Sequence, residues 1–257
     1  MKVLITGASS GIGREMAKLL AKKCTHLVLV GRDVGRLENL KEELETMAGK
    51  RKQRPLKVTA VSTDLTNEEN CIRLHMAYPD IDFLINNAGF GDFGEFAGTS
   101  LEKEMRMIDT NVKAVHILMK LYLVDMVKKN RGCILNVASI AGFMPGPLMA
   151  TYYATKSYVV RLSESVRKEL QKRHSEVKIS VLCPGPVETN FAKTANIAFH
   201  FNGKDARIIA KYALEHLNRF YIVPGVPIRM SRALLKMLPT PVISEIMYYL
   251  QSRRKCE

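Results

Sequence analysis

Seven short apolar runs alternate with longer amphipathic stretches, and this alternation constrains the fold more than any other feature of the sequence. The runs lie at 3–6, 27–30, 58–61, 83–85, 133–137, 179–182 and 220–223. Each is almost continuously apolar, as is typical of parallel strands that are buried on both faces. The stretches between them, such as 14–23 and 37–47, have the spacing of amphipathic helices. The pattern predicts one α/β domain in which helices cover both faces of a parallel sheet.

The composition excludes several classes of protein. With 257 residues, 47% of them hydrophobic and 25% charged, the chain is long enough for a buried core and unlike a disordered or collagenous sequence. Its 39 Lys and Arg against 25 Asp and Glu leave a net charge of +14, which favours an anionic ligand or surface. No apolar run reaches the roughly 18 residues of a membrane-spanning helix. The basic run at 49–54 lacks interleaved aromatic residues, so we interpret it as a solvated loop and predict no nucleic-acid binding.

The cysteines, the histidines and the first residues favour an intracellular protein without a metal. The five cysteines are scattered and never form a C-x-x-C pair, and the six histidines form no H-x-x-x-H pair. We therefore expect neither a disulfide framework nor a metal site. The chain passes at once from a short apolar run into a glycine-rich turn, which favours a first strand over a secretion signal. The sequence therefore predicts a cytoplasmic location.

A glycine-rich turn directly follows the first apolar run. The sequence from Thr6 to Gly13 reads TGASSGIG and leads straight into a helical pattern. Glycines at such a turn let the backbone approach a pyrophosphate, whose negative charge is stabilised by the N-terminus of the following helix. A purely steric role for the glycines is the alternative. The position between the first strand and the first helix favours dinucleotide binding.

This turn is the first of a series of motifs that resembles the short-chain dehydrogenase/reductase family. In chain order, the motifs are TGASSGIG, Asn86-Asn87-Ala88-Gly89, Asn111, Ser139, Tyr152-x-x-x-Lys156 and Pro184-Gly185. Any one of them is a weak signal, but the ordered set is specific and spans nearly the whole chain. The resemblance implies a single doubly wound Rossmann-type domain with a seven-stranded parallel sheet at 1–225, followed by a C-terminal amphipathic extension at 226–257.

By the same resemblance the cofactor is a nicotinamide dinucleotide, and the end of the second strand indicates which one. NAD-selective sites place an acidic residue there for the ribose 2′-hydroxyl, whereas an arginine accommodates a 2′-phosphate. This chain has Gly31 in place of the carboxylate, followed by Arg32, while Asp33 is positioned to cap the next helix. We therefore predict NADP(H). The resemblance assigns to the cofactor site Gly7, Ser9, Ser10, Gly11, Ile12, Gly13, Arg32, Asp64, Leu65, Asn87, Ala88, Gly89, Tyr152, Lys156, Pro184, Gly185, Val187 and Thr189.

The resemblance also implies a catalytic set, made of Asn111, Ser139, Tyr152 and Lys156. Tyr152 and Lys156 are four residues apart and so lie on one face of a helix. A free tyrosine has a pKa near 10, and we expect a neighbouring ammonium and the positive ring of oxidised nicotinamide to lower it. Tyr152 then exchanges a proton with the carbonyl or alcohol oxygen, to which Ser139 also hydrogen-bonds. Asn111 resembles the residue whose backbone binds a water that links Lys156 to solvent.

Two groups of apolar residues are expected to cover the substrate. They are Phe191, Ile197, Phe199 and Phe201 after the sixth strand, and Phe143, Met144, Leu148 and Met149 after Ser139. Together they predict a hydrophobic ketone or aldehyde and its alcohol, with hydroxysteroids and 3-oxoacyl thioesters as candidates. We expect Tyr153 to pack near the entrance of the site, because its spacing to Lys156 is three rather than four.

The C-terminal extension and the long helices bear on the partners of the protein. We expect the amphipathic stretches at 229–238 and 242–250 to pack over the substrate cleft or against a partner subunit. The alternative is that they bind an anionic membrane surface. The helices at 101–126 and 151–170 carry apolar residues on more than one side, and in the family they form the subunit interface. We therefore expect a homodimer or homotetramer.

The sequence thus predicts an NADP(H)-dependent oxidoreductase of the carbonyl reductase or hydroxysteroid dehydrogenase type. Two alternatives stay open at this level. One is an NADP(H)-binding sensor or scaffold without turnover, against which the complete set of four catalytic residues argues. The other is a lipid carbonyl reductase at a membrane surface. Resemblance of fold does not transmit the identity of the substrate.

Overall fold

A computed structural model of the chain describes residues 1–49, 56–189, 203–225 and 238–253, together with Phe191, Ala195 and Ile228. The strands are β1 (Lys2–Thr6), β2 (His26–Gly31), β3 (Lys57–Ser62), β4 (Phe83–Asn86), β5 (Cys133–Val137), β6 (Lys178–Leu182), β7 (Val187–Glu188), β8 (Lys204–Asp205) and β9 (Tyr221–Ile222). The α-helices are α1 (Gly11–Leu20), α2 (Val34–Gly49), α3 (Glu68–Ala77), α4 (Leu101–Ile108), α5 (Ala114–Lys128), α6 (Ala150–Lys172), α7 (Ala206–Glu215) and α8 (Thr240–Ser252). A π-helical turn (Asp109–Lys113) joins α4 to α5, and a 3₁₀ helix (Ile140–Phe143) follows β5.

Seven strands form one parallel sheet in the order β3-β2-β1-β4-β5-β6-β9. The chain winds outward from β1 to β3, returns to the centre at β4, and then winds outward on the other side. The carboxyl ends of β1 and β4 therefore flank the crevice in which doubly wound sheets bind ligands. The predicted seven-stranded parallel sheet flanked by helices is confirmed. The short ribbon of β7 and β8 was not predicted from the sequence.

The two faces of the sheet carry separate apolar layers, which explains why most strand positions are apolar. In β2, Leu27 and Leu29 are buried in the layer that contains α1, α2 and α7. Val28 and Val30 are buried in the opposite layer, with α3, α5 and α6. Since successive side chains of a strand point to opposite faces, a polar side chain between these layers needs a hydrogen-bond partner. Buried Asn136 of β5 has one on each side, because it accepts from Asn86 of β4 at 2.9 Å and donates to Ser163 of α6 at 2.9 Å.

Local capping places the helix starts, and two predicted boundaries are corrected. The backbone N–H of Arg36 donates to the carboxylate of Asp33 at 3.0 Å, so Asp33 caps α2 as the sequence predicts. Helix α1 starts at Gly11 rather than at residue 14, because its hydrogen bonds begin within the glycine turn, where the N–H of Arg14 already donates to the carbonyl oxygen of Ser10 at 3.2 Å. The helix predicted at 101–126 is interrupted by the π-helical turn, which contains Asn111. Such turns are frequent at functional sites.

Candidate active site

The turn between β1 and α1 depends on glycine for two separate reasons. Gly7 and Gly11 have positive φ angles, of 64° and 54°, which residues with a Cβ rarely adopt. A Cβ on Gly13 would lie 2.5 Å from both the Nδ2 of Asn87 and the carbonyl oxygen of Gly7, so only glycine fits there. The turn is thereby pressed against the end of β4. Because its glycines have no side chains, the backbone of the turn is uncovered at the carboxyl edge of the sheet.

Hydrogen bonds hold this turn to the end of β4. The hydroxyl of Thr6 accepts from the backbone N–H groups of Asn87, at 2.9 Å, and Ala88, at 3.0 Å. The Asn87 amide in turn donates to the carbonyl oxygens of Thr6 and Gly7, at 2.9 and 3.1 Å. The Asn-Ala-Gly motif therefore has a structural role as well as its position at the site. The bonds lock together the two strand ends that form the crevice.

One cavity of about 340 Å³ collects most of the predicted site residues. It is lined by every residue that the resemblance assigns to cofactor or catalysis except Gly13 and Asn111. Gly13 lies behind the turn, and Asn111 is buried beneath Phe90. Gly31, at the position where NAD-selective sites carry a carboxylate, also lines the cavity. Sequence reasoning did not assign to the site the further lining residues Thr63, Phe90, Thr110, Val137, Ala138, Ile140, Ala141 and Pro186. These residues lie in strand ends, loops, the π-helical turn and the 3₁₀ helix, which the tertiary structure brings together.

The glycine end of the cavity fits a dinucleotide phosphate. The N-cap residue of α1, Ser10, makes no side-chain capping bond, whereas the caps of α3 and α4, Asn67 and Ser100, both accept one. The first N–H groups of α1 thus lack the side-chain acceptor that satisfies comparable helices. A free helix N-terminus next to bare glycine backbone is suited to bind an anionic phosphate.

The side of the cavity near β2 and β3 carries two arginines around one carboxylate. The Nη2 of Arg106, on α4, lies 3.6 Å from the Oδ2 of Asp64, and the backbone N–H of Thr66 donates to the Oδ1 at 3.1 Å. Burial acts to raise the pKa of Asp64, but the hydrogen bonds from Thr66 and the charges of Arg32 and Arg106 outweigh it and hold that pKa below its usual value. Sequence reasoning missed Arg106, since its contact with Asp64 is purely tertiary.

At the other end of the cavity, Ser139 and Tyr152 line the same wall, and Ser139 favours the charged form of the Tyr152 phenol. Ser139 follows β5 after Ala138, and its hydroxyl caps the 3₁₀ helix by accepting from the N–H of Ala141 at 3.2 Å. Burial raises the pKa of Tyr152 well above its ordinary value, and the opposite effect of Ser139 is smaller. Loss of water around the ring thus opposes the phenolate. The predicted lowering of this pKa also depends on the positive ring of oxidised nicotinamide, and it stays a prediction.

Lys156 lies one helical turn beyond Tyr152, as predicted. Its Nζ donates to the carbonyl oxygen of Val137 at 3.0 Å and lies 5.8 Å from the centre of the Tyr152 ring. Burial lowers the pKa of Lys156 to about 8, although the Cys183 thiol acts weakly in the opposite direction. A Cβ on Gly89 would lie 3.3 Å from this Nζ, so the glycine leaves room for the ammonium.

Asn111 contacts the site through a neighbouring loop. Its side chain bonds both backbone groups of Phe90, accepting at 3.1 Å and donating at 2.8 Å, and it also donates to the hydroxyl of Thr155 at 3.1 Å. Thr155 precedes Lys156 on α6. The side chain of Asn111 therefore links the loop after β4 to the catalytic helix, while its backbone lies in the π-helical turn. The predicted water contact of that backbone stays a prediction.

An apolar cluster surrounds Tyr152 and differs in part from the predicted cover. The ring of Phe191 lies 5.2 Å from the ring of Tyr152, centre to centre. Buried with Tyr152 in this cluster, or packed against it, are Phe90, Phe93, Met107, Ala141, Met144, Met149, Tyr153, Phe191, Ala195, Leu238, Ile243 and Met247. Tyr153 lines the cavity, as predicted, and its ring packs on Gly146. Of the predicted cover, Ile197, Phe199 and Phe201 lie outside the described residues.

Phe143 and Leu148 do not belong to this cluster, which corrects the sequence prediction. Phe143 instead packs on the core of the sheet, with its ring 5.6 Å from that of Tyr221. Leu148 has a positive φ of 63° and lies at a turn, outside both the cavity and the cluster. Phe143 is the last residue of the 3₁₀ helix that follows Ser139, and sequence reasoning did not anticipate this helix.

Comparison with known proteins decides the family. The profile of the family described as short chain dehydrogenase matches residues 1–198. The chain belongs to the short-chain dehydrogenase/reductase family. An uncharacterized oxidoreductase of Staphylococcus epidermidis is 35% identical over 190 residues, which are 72% of this chain and 77% of that protein. The enzyme is accordingly an oxidoreductase.

Solved structures of short-chain dehydrogenases agree with this assignment. One from Sphingobium yanoikuyae, in complex with NADPH, has a TM-score of 0.81 at 29% identity, covering 93% of this chain and 96% of that chain. One from Burkholderia phymatum, in complex with NAD, has a TM-score of 0.79 at 28% identity, covering 91% of this chain and 92% of that chain. Similar short-chain dehydrogenases thus bind either cofactor, so the choice rests on the residues of this chain.

Among the helices described, none is both long and apolar enough to cross a bilayer. Among the described residues, no three or more of His, Cys, Asp and Glu are grouped in a way that could hold a metal ion.

Proposed function

We propose that this short-chain dehydrogenase is an NADP(H)-dependent oxidoreductase that interconverts a hydrophobic ketone or aldehyde and its alcohol. The observation that carries the proposal is the position of Tyr152. Its ring lines the cavity together with Ser139, the Nζ of Lys156 lies 5.8 Å from the ring centre, and the other end of the cavity is the glycine turn. A proton donor and a dinucleotide cradle in one cavity are the two requirements of carbonyl reduction.

The residues that would hold the cofactor are those of the glycine turn, the β4 end and the loop after β6. The N–H groups of α1 and the bare turn from Gly7 to Gly13 suit the pyrophosphate. Gly31, without a carboxylate, and the exposed Arg32 both line the cavity and suit a 2′-phosphate, which supports NADP(H) over NAD(H). When bound, the nicotinamide supplies or accepts the hydride.

Tyr152 would move the proton. Because burial raises its pKa, the phenol is protonated near neutral pH and is ready to donate to a carbonyl oxygen. The Ser139 hydroxyl lines the cavity beside Tyr152 and would stabilise charge on the same oxygen. Lys156, with a pKa of about 8, can carry a positive charge near the phenol and so stabilise the phenolate left after the proton has moved.

The apolar cluster supports a hydrophobic substrate. At the Tyr152 end the cavity is lined by Ile140, Met149, Tyr153 and Phe191, and a further layer, which includes Met247 of α8, packs behind them. Such walls favour bulky apolar groups over sugars or amino acids, since they offer few polar partners. Hydroxysteroids and 3-oxoacyl thioesters remain the candidates. We also propose that the extension at 226–257 packs on the domain at 1–225, because Ile243 and Met247 share the cluster of Tyr152.

A homodimer or homotetramer is part of the proposal. Leu101, Met105 and Ile108 of α4 form an exposed stripe at helical spacing, and Val124 and Tyr158 are exposed on α5 and α6. Apolar side chains exposed on these adjoining helices are typical of a surface that a second subunit covers. Size-exclusion chromatography with light scattering would measure the assembly, and a monomer at micromolar concentration would contradict this part.

The decisive experiment is turnover of NADPH and NADH with a panel of steroid, acyl and aromatic carbonyls. We expect Tyr152→Phe to lower kcat by roughly 10²–10⁴, the usual contribution of a proton-transfer group, while NADPH binding is retained. The neighbouring Tyr153→Phe is the matched control, since this ring is also buried at the cavity but lies out of register with Lys156. Equal losses in the two variants, or full activity of Tyr152→Phe, would contradict the mechanism.

A further inference from the structure

The C-terminal helix α8 has an apolar arc that is wider than the part it buries. Its inner residues, Ile243 and Met247, are 5% and 9% exposed in the cluster around Tyr152. Next to them on the helix surface, Val242 and Ile246 are 44% and 45% exposed, and Leu250 is 49% exposed. Most surface helices of globular proteins bury their apolar stripe. Helix α8 leaves about half of its stripe uncovered.

The exposed side chains of α8 form one continuous stripe. At 100° per residue, Val242, Ile246, Tyr249 and Leu250 fall within about 100° of the helix circumference. Tyr249 is 53% exposed, and the guanidinium of Arg253 lies 4.0 Å from the centre of its ring, on the same side of the helix. We name these five residues the outer stripe of α8. It combines aliphatic residues, an aromatic residue with a polar end, and a cation.

We propose that the outer stripe of α8 rests on an anionic lipid bilayer, with the helix axis in the plane of the membrane surface. Interfacial helices bury an apolar face at the level of the headgroups, where tyrosine is favoured and cations bind anionic lipid. The charge of the protein complements such a surface. The chain has a net charge of +14, and Arg254 and Lys255 directly follow Arg253 in the sequence. This contact does not depend on the proposed reaction.

A second copy of the chain is the other occupant of an apolar face, and the stripe suits it less well. A standard protein interface buries roughly 800 Å² on each partner, far more than four half-exposed side chains offer. A bilayer needs no complementary shape. Because the inner face of the same helix packs in the cluster of Tyr152, the proposed contact would place the apolar end of the cavity close to the membrane.

Co-sedimentation of the full-length protein with vesicles tests this inference. Vesicles of phosphatidylcholine with phosphatidylglycerol should bind the protein at low salt, and vesicles of phosphatidylcholine alone should bind it much more weakly. We expect the double variant Ile246→Ser, Leu250→Ser to lose at least tenfold in affinity, and Arg253→Gln to weaken binding only to the anionic vesicles. Met76→Ser is the matched control, because this α3 side chain is 72% exposed and lies outside the stripe.

Three results would overturn the proposal. The first is wild-type protein that stays in the supernatant with both vesicles. The second is equal binding to both vesicles that salt leaves unchanged, which would remove the role of anionic lipid. The third is a shift of the double variant to a smaller assembly in sedimentation velocity without lipid, which would assign the stripe to a subunit interface. Turnover of a dissolved ketone should be the same in all variants, so failure of the reaction is seen separately.

Discussion

Replacing Gly31 by aspartate should convert the enzyme from NADPH to NADH preference. A Cβ at this position would meet the Ser9 hydroxyl at 3.4 Å and nothing closer, which is ordinary contact, so a side chain fits without displacing the turn. The contrast is with Gly13, where a Cβ would lie 2.5 Å from the Asn87 amide and the turn would have to move. Position 31 therefore allows the cofactor site to be changed while the fold is kept.

The size of the effect follows from the charges. A carboxylate and a phosphate about 4 Å apart repel by roughly 1 kcal/mol per pair of unit charges in water and roughly 4 kcal/mol at an effective dielectric constant of 20. Gly31 is half-buried and Arg32 is exposed, so the expected cost lies between these values, at about 2 kcal/mol. That cost corresponds to a rise of about 30-fold in the KM for NADPH. A hydrogen bond from the ribose 2′-hydroxyl to the new carboxylate should lower the KM for NADH about tenfold.

Steady-state kinetics with both cofactors at saturating ketone measure the change. Gly31→Asn is the matched control, since asparagine has the same shape as aspartate but no charge. We expect it to leave the preference for NADPH largely intact, with kcat unchanged in both variants. Identical cofactor ratios in the aspartate and asparagine variants, or a wild-type enzyme that already prefers NADH, would refute the electrostatic reasoning about Gly31 and Arg32.

Three further predictions concern stability. Lys156 has a folded pKa of about 8 against an ordinary value of 10.5, so its buried ammonium destabilises the fold below pH 8, and this penalty disappears as the pH rises to 10.5. Over that range, the free energy of unfolding of the wild type should therefore rise by roughly 3 kcal/mol relative to that of the Lys156→Met variant, as measured by urea unfolding. Gly13→Ala should cost about 1–3 kcal/mol in urea unfolding and abolish NADPH binding in fluorescence titrations, because its Cβ overpacks the turn. The Gln251 amide is fully buried and has no hydrogen-bond partner among the described residues, so Gln251→Leu should raise the Tm by about 2–4 °C in calorimetry.

Each of these predictions has a control or an outcome that contradicts it. A pH-independent difference between wild type and Lys156→Met would show that the ammonium is not desolvated in the fold. Gly49→Ala is the control for Gly13→Ala, because no atom of the part of the chain that the structure describes lies within 4 Å of the Cβ that it adds. A lower Tm of Gln251→Leu would show that the amide makes a stabilising contact in solution.

The sheet and most of the cavity lining could be predicted from the sequence. Nearly continuous apolar runs in the strands indicate burial on both faces, and the doubly wound order then places the ends of β1 and β4 side by side. Residues just beyond the strand ends, such as Asn87 and Ser139, are therefore brought to the cavity by topology alone. The helical repeat alone predicts that Tyr152 and Lys156 lie on a common face, because they are four residues apart.

Contacts between elements far apart in the chain could not be predicted. The pairing of Arg106 with Asp64 joins α4 to the loop after β3, and no local pattern indicates it. The burial of Phe143 in the sheet core depends on the 3₁₀ helix after Ser139. The pKa of Tyr152 rises because the surrounding cluster removes water, which is a property of packing rather than of spacing.

The order of the residues thus determined the type of fold, the position of the glycine turn and the register of the tyrosine and lysine, because these depend on short-range periodicity and on which positions must avoid water. Only the tertiary structure determined the rise in the pKa of Tyr152, the contacts of Asp64, and which face of α8 is buried and which is exposed. Those features depend on how closely distant segments approach and on how much water their contact excludes.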